Sequence, residues 1–122
     1  MRNPIPPYAK GMMGEDRACE YLQKKGMVLL ARRYRSLYGE IDLIMQEGVA
    51  VVFVEVKSRS NGGRGSGLLS ITPAKQKRLL QTASLYLAEQ KINPQVRFDA
   101  IEITPAGISH IPNAFDASSV FW

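Results

Sequence analysis

The sequence predicts an α/β domain: a mixed β-sheet flanked by helices, in the order α-β-β-β-α-β with a short fifth strand. Three observations carry this. Two long segments, 9–25 and 72–91, repeat apolar residues at helical three/four spacing. Several short segments between and after them are apolar and rich in β-branched residues. The two kinds of segment alternate along the chain, which is the pattern of helices packed on a sheet. At 122 residues, with 45% hydrophobic and 22% charged content, the chain has the size and composition of one globular domain.

The elements follow in order. Residues 1–8, rich in proline, read as an irregular arm, leaving 9–122 as a single domain. Helix 9–25 places Met12, Glu15, Ala18, Cys19 and Leu22 on one stripe, and Lys24-Lys25-Gly26 forms its stop. Val28 to Tyr34 reads as a first strand with a basic end, Arg32-Arg33-Tyr34-Arg35. Glu40 to Met45 and Val49 to Ser58 are two further strands, joined as a hairpin through the turn Gln46-Glu47-Gly48. Residues 59–71 contain four glycines and read as a mobile loop. Thr72-Pro73 opens the second helix, with threonine as N-cap and proline in the first turn. That helix runs to about Lys91, before Asn93-Pro94, with Gln76, Leu79, Leu80, Ala83 and Leu87 facing inward. Val96 to Ile103 is the fourth strand and Ile108 to Ile111 the short fifth. Neither an internal repeat nor a dividing linker is visible.

Charge and composition narrow the partners. Sixteen basic against eleven acidic residues give a net charge of +5 and a pI near 9.6, which favours an anionic partner, nucleic acid first. One cysteine, Cys19, excludes an internal disulfide, and with one histidine, His110, it excludes a Cys/His zinc cluster. No apolar run reaches the ~18–20 residues of a membrane helix, so no membrane partner is expected. The first residues lack the apolar region of a secretory signal. The expected location is the cytoplasm. Cys19 is expected in the core, and His110 is expected to be structural.

The chemistry sits in Gly39-Glu-Ile-Asp-Leu-Ile-Met45 and Val51-Val-Phe-Val-Glu-Val-Lys57. Asp42, Glu55 and Lys57 interrupt runs that are otherwise apolar. A charge in a buried sheet costs several kcal/mol unless it is paired, hydrogen-bonded or metal-bound. Alternation places Glu55 and Lys57 on one face, about 6.6 Å apart along the strand. A four-residue loop over 47–50 makes paired residue numbers sum to 97 and sets Asp42 opposite Glu55, with Cβ atoms about 4.5–5.5 Å apart. Carboxylates that close call for a cation between them. Mg2+ or Mn2+ is the natural choice, since it takes oxygen ligands and keeps waters. Glu15 lies on the inward stripe of the first helix and is placed to complete such a site. Lys57 can orient a water or meet developing negative charge.

Each reading has a plainer rival. Glu55 and Lys57 could be a solvated edge-strand pair, although the run around them looks central. Glu15 could be a surface acid near a helix start. Gln76 could be an amide at the core edge with no further role. The glycine-rich loop lacks the ending of a nucleotide-binding loop, and its Arg59 and Arg64 either close over a nucleic-acid backbone or belong to a connector. Arg32, Arg33, Arg35, Lys75, Lys77 and Arg78 form either a backbone-binding surface or ordinary solvated faces.

Asp42-x12-Glu55-x-Lys57 after a helical Glu15 resembles the PD-(D/E)xK nuclease superfamily. Gly39-Glu-Ile-Asp-Leu-Ile and Phe53-Val-Glu-Val-Lys-Ser-Arg59, with Gly14-Glu15, Arg97-Phe-Asp99 and Asn113-Ala-Phe115, are similar to the YraN-type family of small bacterial endonuclease-like proteins, relatives of Holliday junction resolvases. The likeness covers nearly the whole chain. It implies a restriction-endonuclease-like fold and magnesium-dependent phosphodiester cleavage, with branched or damaged DNA as substrate and DNA favoured over RNA. Carried over by position, Asp42, Glu55 and Glu15 would be metal ligands, Lys57 the catalytic lysine, and Gln76 a less constant helical member of the site. Glu40, a second acid beside Asp42, departs from the pattern and competes for the ligand role. A homodimer is a further expectation, since resolvase-like proteins are often dimers. The rival function is a non-catalytic nucleic-acid-binding or DNA-processing accessory module on the same fold.

Overall fold

The computed structural model describes residues 7–59 and 71–116, with side chains described from residue 13 onward. In chain order the elements are α1 (Pro7–Lys24), β1 (Val28–Ser36), β2 (Gly39–Glu47), β3 (Ala50–Ser58), α2 (Pro73–Gln90), β4 (Gln95–Thr104) and β5 (Gly107–Ile111). The strands form one sheet in the order β1-β2-β3-β4-β5. Only β3 and β4 are parallel; the other neighbours are antiparallel. This is the α/β order expected of the restriction-endonuclease-like fold.

Each face of the sheet carries one helix. Val51, Phe53, Phe98 and Ala100 pack under Leu79, Leu80, Ala83 and Tyr86 of α2. Leu43, Met45, Val52, Val54, Ile101 and Ile103 pack under Ala18, Cys19 and Leu22 of α1. Strand β3 is therefore central and apolar on both faces, as its sequence requires. Glu15, Ala18, Cys19 and Leu22 of α1 are buried as expected, and the Met12 side chain lies outside the described residues. In α2, Leu79, Leu80 and Ala83 are buried as expected, Gln76 and Leu87 are half-buried, and Thr82 and Tyr86 are buried in addition.

Most element ends differ from expectation by one or two residues. Helix α1 already includes Pro7 and Tyr8, which were assigned to an irregular arm. A proline in the first turn has no amide that the helix needs, so it is compatible with a start there. The β2–β3 turn is Gly48-Val49, one step later than expected: Glu47 pairs with Ala50, and Val49 is exposed in the turn. Gly48, with φ of 58°, allows the tighter turn. The paired numbers still sum to 97 (Leu43 with Val54, Ile44 with Phe53), so the register holds. Thr72 caps α2 as expected, its hydroxyl accepting from Lys75 N at 3.2 Å. Of the expected loop over 59–71, Ile71 is buried in the α2-side core and Arg59 N donates to Ile103 O at 2.8 Å. Arg64 and the rest of 60–70 lie outside the described residues.

Candidate active site

The site begins with a break in alternation. Ile41 and Ile44 both enter the α2-side core, while Leu43 and Met45 enter the α1-side core. Strict alternation would put Ile41 with Leu43. Strand β2 thus changes phase at Asp42. Its ladder to β3 ends there, at Leu43 opposite Val54, while pairing to β1 continues to Gly39. Strand β1 changes phase in step. Arg33, which falls between the pairs Arg32–Leu43 and Tyr34–Ile41, has φ of 50°, an uncommon value for a residue with a side chain.

The phase change frees Asp42 from both faces. Its Oδ2 accepts a hydrogen bond from the backbone N–H of Val56 at 2.8 Å. A strand N–H points along the sheet, so the carboxylate lies at the seam where β2 leaves β3. It does not stand opposite Glu55 on a shared face, as the simple register implied. From the seam it meets acids of both faces. Burial, then Glu55, Glu15 and Glu40, push its pKa up to about 7, against the Val56 hydrogen bond that favours the charged form.

On the α1 side, Glu15, Glu40 and Asp42 each bring a carboxylate oxygen within 4.8 Å of the others. Gly14 explains how α1 comes close enough, since a Cβ there would overlap the Ser58 hydroxyl at the end of β3. Glu15 is buried. Its Oε2 accepts from Arg33 Nε at 2.8 Å and Nη2 at 2.6 Å, while Oε1 has no hydrogen-bond partner among the described residues. A buried carboxylate oxygen without a donor is costly. Three converging carboxylates with one such oxygen are a donor set that a hard divalent cation fits.

On the α2 side, Glu55 is buried and Oε1 is paired with Lys75 at 2.7 Å and Lys57 at 3.3 Å. Burial and the neighbouring Lys75 lower the pKa of Lys57. Burial opposes the charge on Lys75, but Glu55 and Lys57 outweigh it and raise its pKa. The two lysines are thus shifted in opposite directions, Lys57 down and Lys75 up.

The structure sorts the expected residues accordingly. The carboxylates that converge are Glu15, Glu40 and Asp42, while Glu55, electrostatically linked to Asp42, is paired with Lys57 and Lys75. Glu40, expected as a competitor, is a full member; Glu55 is held by lysines. Lys75, expected on a nucleic-acid surface, is inside the site. Its position is set by the Thr72 cap, because the first turn of α2 aims at the end of β3. Arg33, also expected on that surface, clamps Glu15. Gln76 is half-buried and its amide Nε2 donates to Ile71 O at 3.1 Å, so it secures the entry to α2. Among the remaining cations, Arg32 pairs with Asp16 at 2.6 Å and Arg35 with Glu40, while Lys77 and Arg78 are exposed.

Sequence reasoning missed a further buried acid, Asp99. Its carboxylate accepts from Arg97 Nε and Nη2 at 2.8 Å each and from Asn113 N at 3.0 Å, and lies 2.7 Å from His110 Nε2. Burial opposes its charge, yet these partners lower its pKa. The structural part expected of His110 is this contact.

Comparison with known proteins places the chain in a family. The pattern of the uncharacterised protein family UPF0102 matches residues 14–103, which span every acid and lysine of the site. A UPF0102 protein of Herminiimonas arsenicoxydans is 45% identical over 107 residues, 88% of this chain and 86% of that protein. Relatives from Persephonella marina and Legionella pneumophila are 44% and 43% identical, over 89% and 88% of this chain and 95% of each relative. No helix among the described residues is long and apolar enough to cross a membrane.

Proposed function

The chain belongs to the uncharacterised protein family UPF0102, and from its buried acid cluster we propose that it is a divalent-metal-dependent nuclease that hydrolyses phosphodiester bonds in DNA. The observation that carries this reading is Glu15: a buried carboxylate with one oxygen lacking a hydrogen-bond partner among the described residues, converging with Glu40 and Asp42. Asp42, Glu40 and Glu15 would hold Mg2+ or Mn2+. When bound, the ion supplies charge neutralisation at the scissile phosphate and a more acidic water.

The chain's own groups do the rest. Lys57, held by Glu55, can orient the attacking water or meet developing negative charge. Lys75 keeps its charge and can meet the phosphate oxygens. Glu55 holds the two lysines in place. Arg33 fixes one oxygen of Glu15 and leaves the other directed at the cluster. The basic balance of the chain favours DNA as the anionic partner. Branched or damaged DNA is the substrate class the family resemblance implies.

Incubation of branched, flapped and linear DNA with Mg2+ or Mn2+ tests this reading. Cleavage is expected from the native protein and should fall by at least about 100-fold in Asp42→Ala and Lys57→Ala. Absence of metal-dependent cleavage on every substrate would overturn it. The accessory-module reading draws on one observation, that Glu55 is already satisfied by Lys57 and Lys75. Calorimetry with Mn2+ separates the two: the nuclease binds metal and loses affinity on Asp42→Asn, whereas a plain binder shows salt-dependent DNA affinity indifferent to metal.

A further inference from the structure

The turn between β1 and β2 places two apolar residues in water on a rigid mount. Leu37 is fully exposed and Tyr38 is 44% exposed. A single exposed leucine needs no explanation, but a flexible surface turn does not usually carry a leucine and a tyrosine together at its tip. This tip is also held firmly. Ser36 Oγ accepts from Tyr38 N at 3.0 Å and lies 2.8 Å from Thr82 Oγ1, a buried hydroxyl on α2. Ser36 pairs with Gly39, whose φ of 150° closes the turn.

The surroundings are basic and adjoin the candidate active site. Arg35 is exposed just before the tip, and the Cβ of exposed Arg78 lies 3.9 Å from where a Gly39 Cβ would be. Glu40, of the acid cluster, is two residues beyond Tyr38. At ~3.3 Å per strand residue, Tyr38 is about 13 Å from Asp42 along β2, or roughly four stacked bases at ~3.4 Å each.

From this geometry we infer that Leu37-Tyr38 is a binding site for an unstacked nucleobase, with Arg35 and Arg78 meeting the flanking phosphates. The inference rests on the nucleic-acid reading above and extends it: the preferred substrate has an unpaired base a few nucleotides from the scissile bond. The ring of Tyr38 offers a stacking face, and Leu37 offers an apolar edge that can enter a base step. A perfectly paired duplex gives this tip nothing to bind.

The test is binding in EDTA, where hydrolysis plays no part. A duplex with a three-nucleotide bulge containing 2-aminopurine is compared with the same duplex fully paired. The native protein is expected to bind the bulged DNA about tenfold more tightly and to change the 2-aminopurine emission. The double variant L37S/Y38S should bind both DNAs at the fully paired level and leave the emission unchanged. Leu37→Ser alone, at a side chain with no packing to lose, serves if the double variant does not fold, and should lose part of the preference. An unaltered preference in the variants overturns the inference, as does the lack of any preference in the native protein. A native dimer that dissociates in L37S/Y38S with DNA binding unchanged also overturns it, by making a second copy the occupant. Intact bulge preference without cleavage in metal would sink only the nuclease reading; cleavage without bulge preference would sink only this one.

Discussion

Asp99 and Asp42 are carboxylates of interior strands in the same sheet, and their surroundings drive them in opposite directions. Asp99 meets Arg97, His110 and the Asn113 amide, and its pKa is lowered. Asp42 meets one backbone amide and three other acids, and its pKa rises to about 7. Both regions bury charge. The first supplies every partner from within the chain and holds β4 to β5. The second sets four acids against Arg33, Arg35, Lys57 and Lys75, and still leaves Glu15 Oε1 without a hydrogen-bond partner among the described residues. The contrast sets an acid whose partners all lie within the chain beside one in a cluster that keeps an unsatisfied oxygen, and that difference is the ground of the metal-site proposal.

The largest expected effect breaks the complete region. Asp99→Ala removes the acceptor shared by Arg97, His110 and the Asn113 amide, leaving Arg97 only Glu47, and should destabilise the protein by about 3 kcal/mol in urea unfolding. Asp42→Asn keeps an oxygen for Val56 N and removes a repelled charge, so the metal-free protein should lose nothing and gain up to ~2 kcal/mol. Equal losses at both positions would erase the contrast.

Next in size is completion of the other region. Mn2+ at 100 times its dissociation constant should stabilise the native protein by about 2.7 kcal/mol in thermal unfolding. The same addition should do little for Asp42→Asn or Glu15→Gln.

The pH dependence follows from the two shifts. The raised pKa of Asp42 means the folded state binds the proton more tightly than the unfolded state. Its contribution therefore improves as pH falls through about 7, and metal-free native protein should gain about 1–2 kcal/mol between pH 8 and 5.5 relative to Asp42→Asn. Asp99 has the opposite sign. Its stabilisation is present above the ordinary carboxylate range and is lost as pH falls below that range through the lowered folded value. Melting temperature against pH for both single variants reads the two slopes separately. The smallest effect concerns the mount of Lys75. Thr72→Ala removes the cap of α2 and should cost about 1 kcal/mol, with a weaker hold of Lys75 on Glu55.

Much of this molecule was legible in the chain. The helical stripes of Ala18, Cys19, Leu22 and of Leu79, Leu80, Ala83 predicted which faces are buried, because burial of apolar surface drives their placement whatever else changes. The run Val51–Val54 predicted a central strand, and the Thr72-Pro73 start was local capping chemistry. The paired numbers of the β2–β3 hairpin keep the expected sum although the turn falls one step later, because a one-residue slip would exchange the faces on which Leu43, Ile44 and Met45 pack. The part that was not legible depends on contacts between distant segments. Nothing in Arg33 marks it as the clamp on Glu15, eighteen residues earlier, and nothing in Asp99 marks His110 as its partner.

Local pattern alone therefore determined the α/β class, the two buried faces and the choice of Glu15, Asp42, Glu55 and Lys57 as candidates, since periodicity and burial are properties of neighbouring residues. Which acids converge was decided by the tertiary structure. The paired phase change at Arg33 and Asp42 moves one carboxylate off the sheet face and into the seam, bringing Glu40 in and leaving Glu55 to Lys57 and Lys75. A strand's alternation is a local rule, but the point at which two paired strands give it up together is set by the helices and strands packed around them.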